Sequence, residues 1–216
     1  MTTFNHELRT VAQELSLPLG DDQEKAIESF VERMAKWNKV YNLTAIRVEQ
    51  DIWSHHVYDS MAALASVDDQ VGVTKARHVL DVGSGGGLPG VIWSILRADW
   101  KVTCIDAVAK KVAFIQQVIN ATPLVSGRLN AVHARVQEHQ GAYDVVTSRA
   151  FASLSDFTNW TAHLLKPGGL WLAMKGKWPD DEINALPEGI EVFHVKQLHV
   201  PHLDEERWLI WLRPTA

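Results

Sequence analysis

The segment spanning residues 79–90 is the part of the chain whose residue types and spacing best indicate chemistry. Three of its first four residues are apolar and predict a buried strand, and Gly83, Gly85 and Gly87 follow at alternating positions. Glycine allows a sharp turn and a close approach to a ligand, because no Cβ stands in the way. Pro89 fits the first turn of a following helix, whose amide groups can receive polar ligand atoms. The pattern therefore predicts a ligand-holding loop.

Two carboxylates accompany this loop. Asp81 lies two residues before Gly83, and Asp106 ends the next predicted strand, where a carboxylate can accept hydrogen bonds from two ribose hydroxyls. A dinucleotide fold would need a third glycine where this chain has Leu88. S-adenosylmethionine has no phosphates and carries positive charge at its methionyl end, which suits Asp81. We predict S-adenosylmethionine as the cofactor, and nicotinamide or flavin binding and a purely structural turn are the alternatives.

The elements that position this loop follow from an alternation of short β-prone runs with helical ones. Helices are predicted to begin near Leu88, Val108 and Leu154, and the last two strands are expected to form an antiparallel hairpin at the sheet's edge. This predicts an α/β fold of the class I methyltransferase (Rossmann-like) type, with a seven-stranded, mostly parallel sheet and helices on both faces. The predicted strands cover residues 77–82, 101–106, 129–134, 143–148, 169–174, 190–196 and 207–212.

The first third of the chain is predicted to be helical. After Asp21, apolar residues recur at three- and four-residue spacing through Trp37, and another helical stretch runs from Ile52 to Leu64. We predict an N-terminal helical extension, residues 1–70, packed on the core of an S-adenosylmethionine-binding domain, residues 71–216. The two are expected to form one structural unit.

Composition limits the class of protein. Hydrophobic residues make up 46% and charged residues 22%, as in soluble globular proteins. The first ten residues lack the layout of a signal peptide, and no apolar run is long enough to span a bilayer. Cys104 is the single cysteine, so an intrachain disulfide is excluded. We expect a cytoplasmic protein that acts without a membrane partner.

The formal net charge of −5 argues against a protein that coats naked nucleic acid, since such proteins carry a broad basic field. Any contact with RNA must then use a small cationic patch. We predict such a basic rim around the cofactor cleft, and we expect weak binding to bare RNA. The rim consists of Lys36, Lys39, Arg47, Arg149, Lys175 and Lys177.

The methyl acceptor is narrowed by exclusion. Methylation of a pyrimidine carbon needs a cysteine nucleophile, but Cys104 lies inside a predicted strand and is expected to be a buried apolar residue. Methylation of exocyclic amines usually uses an Asn/Asp-Pro-Pro-aromatic motif after the fourth strand, where residues 147–152 read Thr-Ser-Arg-Ala-Phe-Ala. An aromatic ring nitrogen, or an oxygen helped by a base, remains. A ring nitrogen such as guanine N7 needs no general base.

These residues and several further motifs resemble the RsmG family, also called GidB, of small-subunit ribosomal RNA guanine-N7 methyltransferases. The pairing of Trp-Asn-Lys-x-Tyr-Asn-Leu-Thr with Ser-Arg-Ala-Phe-Ala is highly specific to it. The resemblance implies methyl transfer from S-adenosylmethionine to N7 of one guanosine in the decoding-region loop of 16S rRNA, within the small subunit. The matching segments are residues 36–44, 56–60, 88–90, 148–152, 175–176, 200–201 and 206–207.

The resemblance also implies roles for individual residues. By motif position, Asp106 contacts the ribose of the cofactor, and further cofactor contacts come from Gly83, Leu88, Val136, Gln137 and Arg149. The chain departs from the usual family pattern at Gly86, which replaces a common proline, at His55, which replaces a frequent arginine, and at Gln137, which replaces a common glutamate.

Arg149 and Lys175 are the predicted catalytic residues, at the ends of the fourth and fifth strands. The Arg149 guanidinium suits the methionyl carboxylate or the incoming nucleotide, and Lys175 suits an RNA phosphate or the guanine O6. The alternatives are a surface ion pair for Arg149 and a solvated lysine for Lys175. The predicted RNA-binding residues are Asn42, Thr44, Arg47, Lys175 and Lys177.

Structural alternatives remain for four polar residues. Asn42 and Thr44 also suit a turn and helix cap, and His56 and Asp59 can hydrogen-bond each other across one helical turn. No metal site is predicted. We expect a monomer. A small-molecule methyltransferase and a non-catalytic S-adenosylmethionine-binding protein are the competing functions.

Overall fold

The computed structural model describes residues 4–46, 48–71 and 77–215. The strands are β1 (His78–Val82), β2 (Lys101–Asp106), β3 (Leu129–His133), β4 (Tyr143–Arg149), β5 (Leu165–Lys175), β6 (Ile190–Gln197) and β7 (Trp208–Pro214). The helices are α1 (Phe4–Glu14), α2 (Asp21–Tyr41), α3 (Glu49–Ile52), α4 (Asp59–Val71), α5 (Gly90–Leu96), α6 (Ala109–Ala121), α7 (Leu154–Thr161) and α8 (Asp180–Asn184).

All seven strands belong to one sheet with the order β3-β2-β1-β4-β5-β7-β6. β1 pairs in parallel with both β2 and β4, so the chain reverses its direction of progress across the sheet at this point. Ligands of open α/β sheets bind outside the carboxyl ends of the strands at such a switch point. β7 runs antiparallel between β5 and β6. The class I methyltransferase fold and the antiparallel edge hairpin are therefore confirmed.

Apolar side chains cover both faces of the sheet because successive residues of a strand point to opposite faces. Val79 of β1 joins a core cluster that contains Phe30 of α2 and Phe114 of α6. Its neighbour Leu80 joins a second cluster that contains Phe157 of α7. Helices accordingly pack on both faces, as predicted. The N-terminal helices share the first cluster with the sheet.

Several boundaries differ from those predicted. α5 begins at Gly90 rather than near Leu88, because the amides of Gly87 and Leu88 donate to the Ser84 carbonyl (2.8 and 3.0 Å) and close a turn first. The stretch predicted as one helix from 52 to 64 is divided by a π-helical turn, Trp53–Tyr58. Within the described parts of the chain, no helix combines the length and apolarity needed to cross a membrane.

Candidate functional site

The glycine loop leaves β1 at the switch point and is anchored to the neighbouring strand. The amides of Gly83 and Ser84 donate to the carbonyl of Ile105 in β2 (2.9 and 3.1 Å). Gly83 and Gly85 have φ of +64° and +58°, in the left-handed region that favours glycine. The side chain of Phe151 occupies the space that a Cβ on Gly83 would need. The loop is therefore a fixed turn whose first position requires glycine.

Asp106 lies at the carboxyl end of β2, as the strand prediction requires. Its Oδ2 accepts the amide of Gly85 and its Oδ1 accepts the amide of Val108, both at 2.9 Å. The ammonium of Lys111 lies 3.7 Å from Oδ2, and the Asp106 side chain is 6% exposed. These contacts hold the carboxylate at the strand tip. Its role on a ribose stays a prediction.

Two cavities of about 630 and 340 Å³ meet at this edge of the sheet. Gly83, Lys111 and Ala150 line both of them. The smaller cavity brings together three predicted cofactor residues, Asp106, Val136 and Gln137. The larger cavity is lined by further residues predicted to bind the cofactor or RNA. The cofactor group is Gly83, Gly85, Leu88 and Arg149, and the RNA group is Thr44, Lys175 and Lys177. The sequence motifs therefore converge on one two-part cleft.

Asp81 lies beneath the loop, and it is absent from the linings of these two cavities. Its Oδ2 accepts the amide of Gly90 (2.9 Å), which ties β1 to the start of α5. Its Oδ1 and the hydroxyl of Ser84 have no hydrogen-bond partner among the described residues. Burial raises the pKa of the Asp81 carboxyl to about 7. Asp81 thus supports the glycine loop from below. Any electrostatic attraction between its carboxylate and a bound ligand acts through the loop rather than by direct contact.

Cys104 lies in β2 next to Asp81 and is fully buried. Burial raises the pKa of its thiol, so the reactive thiolate is disfavoured. This confirms the predicted buried apolar residue. No set of three or more histidine, cysteine, aspartate or glutamate side chains in the described ranges is arranged to hold a metal ion.

Arg149 ends β4 and points into the larger cavity toward the π-helical turn. Its Nη1 donates to the carbonyl of His55 (2.9 Å) and to Oδ2 of Asp59 (3.1 Å), and its Nη2 donates to Nδ1 of His56 (3.2 Å). The Arg149 side chain is 22% exposed and that of Asp59 only 2%. The ion pair of the alternative is therefore present, but it does not lie at the surface. The partner is a buried carboxylate.

His56 and Asp59, expected to hydrogen-bond each other, are each bound to Arg149, whose guanidinium enters from β4. Burial raises the pKa of the Asp59 carboxyl, and the charges of Arg149 and Arg207 oppose that shift. Burial and the charge of Arg149 lower the pKa of His56 to about 3. Its ring is therefore neutral near pH 7. Nδ1 of His56 lies 3.2 Å from Nη2 of Arg149 and 3.0 Å from the carbonyl of His55, and Nε2 lies 3.0 Å from Oγ1 of Thr44.

The depressed pKa of His56 predicts a loss of stability in acid. Below pH 6.5 an unfolded chain protonates this histidine, whereas the folded protein resists protonation down to about pH 3. From pH 7 to pH 5 we therefore expect the wild type to lose about 2 kcal/mol more unfolding free energy than His56→Gln does. Urea unfolding at both pH values measures this. His199→Gln, at an exposed histidine, is the control, and an equal loss in wild type and His56→Gln would contradict the prediction.

Lys175, at the end of β5, is also held by the protein. Its Nζ donates to the carbonyl of Ala152 (3.0 Å) and to both carboxylate oxygens of Glu182 (3.0 and 2.7 Å). Glu182 lies in α8 and also accepts the amide of Leu154 at the start of α7 (2.7 Å). The Lys175 side chain is only 15% exposed. The alternative of a freely solvated lysine is therefore wrong, because α8 supplies a counterion.

The predicted RNA-binding residues near the end of α2 are placed differently. Asn42 is exposed and takes a left-handed conformation (φ +50°) at the C-cap of α2, where its amide donates to the carbonyl of Asn38 (3.2 Å). The amide of Thr44 donates to Oδ1 of Asn38 (2.9 Å), and Thr44 lines the larger cavity. Asn42 thus has the cap geometry of the alternative. Arg47 lies outside the described residues.

Sequence reasoning missed several residues of the cleft. Arg207 and Glu205, from the β6–β7 connection, line the larger cavity. The carboxylate of Glu205 accepts from Nη2 of Arg207 (2.9 Å) and pairs with Nε2 of His55 (3.3 Å). Phe151 and Trp160 line the smaller cavity with ring centroids 5.8 Å apart. For Arg207 and Glu205, the signal in the sequence was the resemblance of residues 206–207 to the family motif.

Comparisons with known proteins agree with this geometry. A family model described as "GidB: rRNA small subunit methyltransferase G" matches residues 23–210. A relative from Acidovorax sp. (strain JS42), named Ribosomal RNA small subunit methyltransferase G, is 48% identical over 222 residues, covering 100% of this chain and 97% of the relative. A relative of the same name from Leptothrix cholodnii is 50% identical over 206 residues, covering 95% and 93%.

Solved structures share the fold at low sequence identity. The magnesium protoporphyrin IX methyltransferase of Synechocystis PCC 6803, solved with bound S-adenosylmethionine, aligns over 90% of this chain and 98% of that chain, with a TM-score of 0.58 and 17% identity. Aeropyrum pernix fibrillarin, also solved with S-adenosylmethionine, aligns over 72% and 76%, with a TM-score of 0.57 and 13% identity. These likenesses concern the fold alone.

Proposed function

This chain belongs to the rRNA small subunit methyltransferase G family, and we propose that it transfers a methyl group from S-adenosylmethionine to N7 of one guanosine in 16S rRNA. The observation that carries the proposal is the two-part cleft at the carboxyl ends of β1 and β4. One part has the carboxylate of Asp106, and the other is lined by Arg149 and Lys175. The two adjoining cavities therefore suit a nucleoside cofactor and the nucleotide that receives the methyl group.

The residues of the smaller cavity fit an S-adenosyl group. Asp106 is held at the strand tip by two amides and lines the smaller cavity together with Val136 and Gln137. When bound, S-adenosylmethionine supplies a methyl group activated by a sulfonium.

The residues of the larger cavity act by binding and orientation. Guanine N7 carries its own lone pair, so the site needs no general base and catalysis depends on placing the reactants in line. We assign the Arg149 guanidinium to the methionyl carboxylate or the incoming nucleotide, and the Lys175 ammonium to an RNA phosphate or guanine O6. Lys177 is exposed beside Lys175 and suits a second phosphate contact.

Electrostatics favours an assembled particle over naked RNA as the substrate. Cations line the larger cavity of a chain whose net charge is −5, and Asp59, Glu182 and Glu205 already pair with three of them. A small compensated patch gives little non-specific attraction to RNA. The shape of the small subunit must then contribute to recognition.

Methyl transfer to ribosomal particles tests the proposal. We expect tritiated methyl groups to enter 30S subunits from cells that lack the enzyme, with the label mapping to one N7-methylguanosine. Subunits from cells that contain the enzyme are the control, because their site is already filled. A short hairpin of the same sequence should be methylated much less efficiently. Equal efficiency on hairpin and particle would contradict recognition of the assembled subunit.

Two other outcomes would support the competing functions. Methylation of a small molecule without any ribosomal substrate would favour a small-molecule methyltransferase. Cofactor binding without transfer to any RNA would favour a non-catalytic S-adenosylmethionine-binding protein. Neither outcome would contradict the fold, since the fold alone does not determine the methyl acceptor.

We also propose that residues 1–70 and 71–216 act as one unit, and that the protein works as a cytoplasmic monomer without a metal. Ile27 and Phe30 of α2 pack in the same core cluster as Phe114 of α6, which supports the first part of this proposal. Size-exclusion chromatography with light scattering measures the molar mass in solution and so tests whether the protein is a monomer.

A further inference from the structure

We propose that Asp59 is a positioning residue for methyl transfer, because its buried carboxylate lies between the guanidinium groups of Arg149 and Arg207 and fixes how both face the larger cavity. This inference rests on the proposed function. It assigns no contact between Asp59 and a substrate. Asp59 acts through the two arginines.

The geometry joins three separate parts of the chain. Oδ2 of Asp59 lies 3.1 Å from Nη1 of Arg149, which ends β4, and Oδ1 lies 3.6 Å from Nε of Arg207, which precedes β7. The Asp59 side chain is 2% exposed, whereas those of Arg149 and Arg207 are 22% and 16% exposed. The carboxylate is thus covered, and both cations keep a surface toward the cavity. All three residues line that cavity.

Electrostatics explains why one carboxylate sets both positions. Two guanidinium groups that share a buried site repel each other. An anion between them adds two attractions, which offset this repulsion. Salt screens such a covered pair less than it screens a surface pair. Without the charge of Asp59, Arg207 keeps its pair with Glu205 and Arg149 keeps its contacts with residues 55 and 56, so we expect both guanidinium groups to shift from their present positions.

The segment before Asp59 adds further restraints on Arg149. The carbonyl of His55 and Nδ1 of His56 accept from the same guanidinium at 2.9 and 3.2 Å. A π-helical turn, Trp53–Tyr58, ends immediately before Asp59, and π turns inside helices are frequent at functional sites. The planar guanidinium therefore meets acceptors from residues 55, 56 and 59, which fix its orientation as well as its position.

A second buried pair on the same helix provides a matched control. Asp68 of α4 pairs with Arg97, and their side chains are 10% and 8% exposed. Neither residue lines the two cavities of the cleft. Loss of this carboxylate should affect folding as loss of Asp59 does, but it leaves the cleft arginines in place. The Asp59–Arg149 and Asp68–Arg97 pairs therefore separate a positioning role from a structural one.

The experiment compares Asp59→Asn with Asp68→Asn in the full-length protein. We expect Asp59→Asn to lower kcat for 30S methylation about 10- to 100-fold, as expected when a positioned group is displaced by an ångström or less. Binding of 5′-methylthioadenosine, which carries the adenosine without the amino-acid end, should be unchanged in calorimetry. Asp68→Asn should keep the kcat of the wild type at a temperature where it is folded.

Asp59→Glu keeps the charge and serves if Asp59→Asn does not fold. Its longer side chain displaces the carboxylate, so kcat should fall while 5′-methylthioadenosine binding persists. The proposal is overturned if a folded Asp59→Asn has the kcat of the wild type, or if kcat falls equally in Asp59→Asn and Asp68→Asn. Failure of the proposed function is a different result, in which the wild type itself transfers no methyl group to 30S subunits.

Discussion

Replacement of Asp106 by asparagine is expected to weaken binding of S-adenosylhomocysteine about 100-fold. The carboxylate ends β2 beside the smaller cavity, where it can accept two ribose hydroxyls, and a hydrogen bond to a charged group contributes about 1.5 to 3 kcal/mol. Asparagine has the same size but offers one acceptor oxygen and no charge. Isothermal titration calorimetry of the purified variant measures the change.

Asp144 provides the matched control for this prediction. It is also a carboxylate that accepts a backbone amide, that of His78 (2.7 Å), and it pairs with Lys166 (3.0 Å). His78 begins β1, so Asp144 lies at the edge of the sheet opposite the cleft. Asp144→Asn should bind S-adenosylhomocysteine as the wild type does. If Asp106→Asn also binds normally, the assignment of the smaller cavity to the ribose is wrong.

Gly90→Ala is expected to lower the free energy of unfolding by about 3 kcal/mol, the upper end of the usual cost of overpacking a core. An added Cβ would lie 2.5 Å from Sγ of Cys104 and 2.8 Å from Oδ2 of Asp81. Both neighbours are fully buried, so neither can move aside easily. The same methyl group would disturb the hydrogen bond from the Gly90 amide to Asp81. Chemical denaturation followed by tryptophan fluorescence measures the loss.

Gly176→Ala is the control for folding stability. A Cβ there meets only Nη1 of Arg207, at 3.9 Å, which is an ordinary contact. We expect the wild-type free energy of unfolding for this variant. A Gly90→Ala protein as stable as Gly176→Ala would show that the space beneath the loop is larger than the structure indicates.

The strands and the loop were predictable because each depends on a short stretch of sequence. Apolar β-prone runs bounded by turns predicted β1 to β4 within one or two residues of their ends. Asp106 followed from the end of one such run. α8 was not predicted, because it has five residues and none of them is buried, so it leaves no periodic apolar pattern.

The partners of the cleft cations were not predictable, because they come from distant parts of the chain. Glu182 reaches Lys175 from α8, and Arg207 reaches Asp59 from the β6–β7 connection. Local spacing suggested a bond between His56 and Asp59, and the folded chain inserts Arg149 there. Sequence patterns report local periodicity, whereas such contacts depend on how the elements pack.

The position of β7 bears on how the protein acquires activity during its synthesis. β7 follows every other strand in the chain but lies between β5 and β6 in the sheet. β7 is the strand that joins β6 to β5, so β6 has no place in the sheet until β7 has been synthesised. Arg207 directly precedes β7, so its contact with Asp59 of α4 can form only after this part of the chain has been synthesised. A nascent chain therefore cannot have both cleft arginines and a complete sheet until its C-terminal strand has been made.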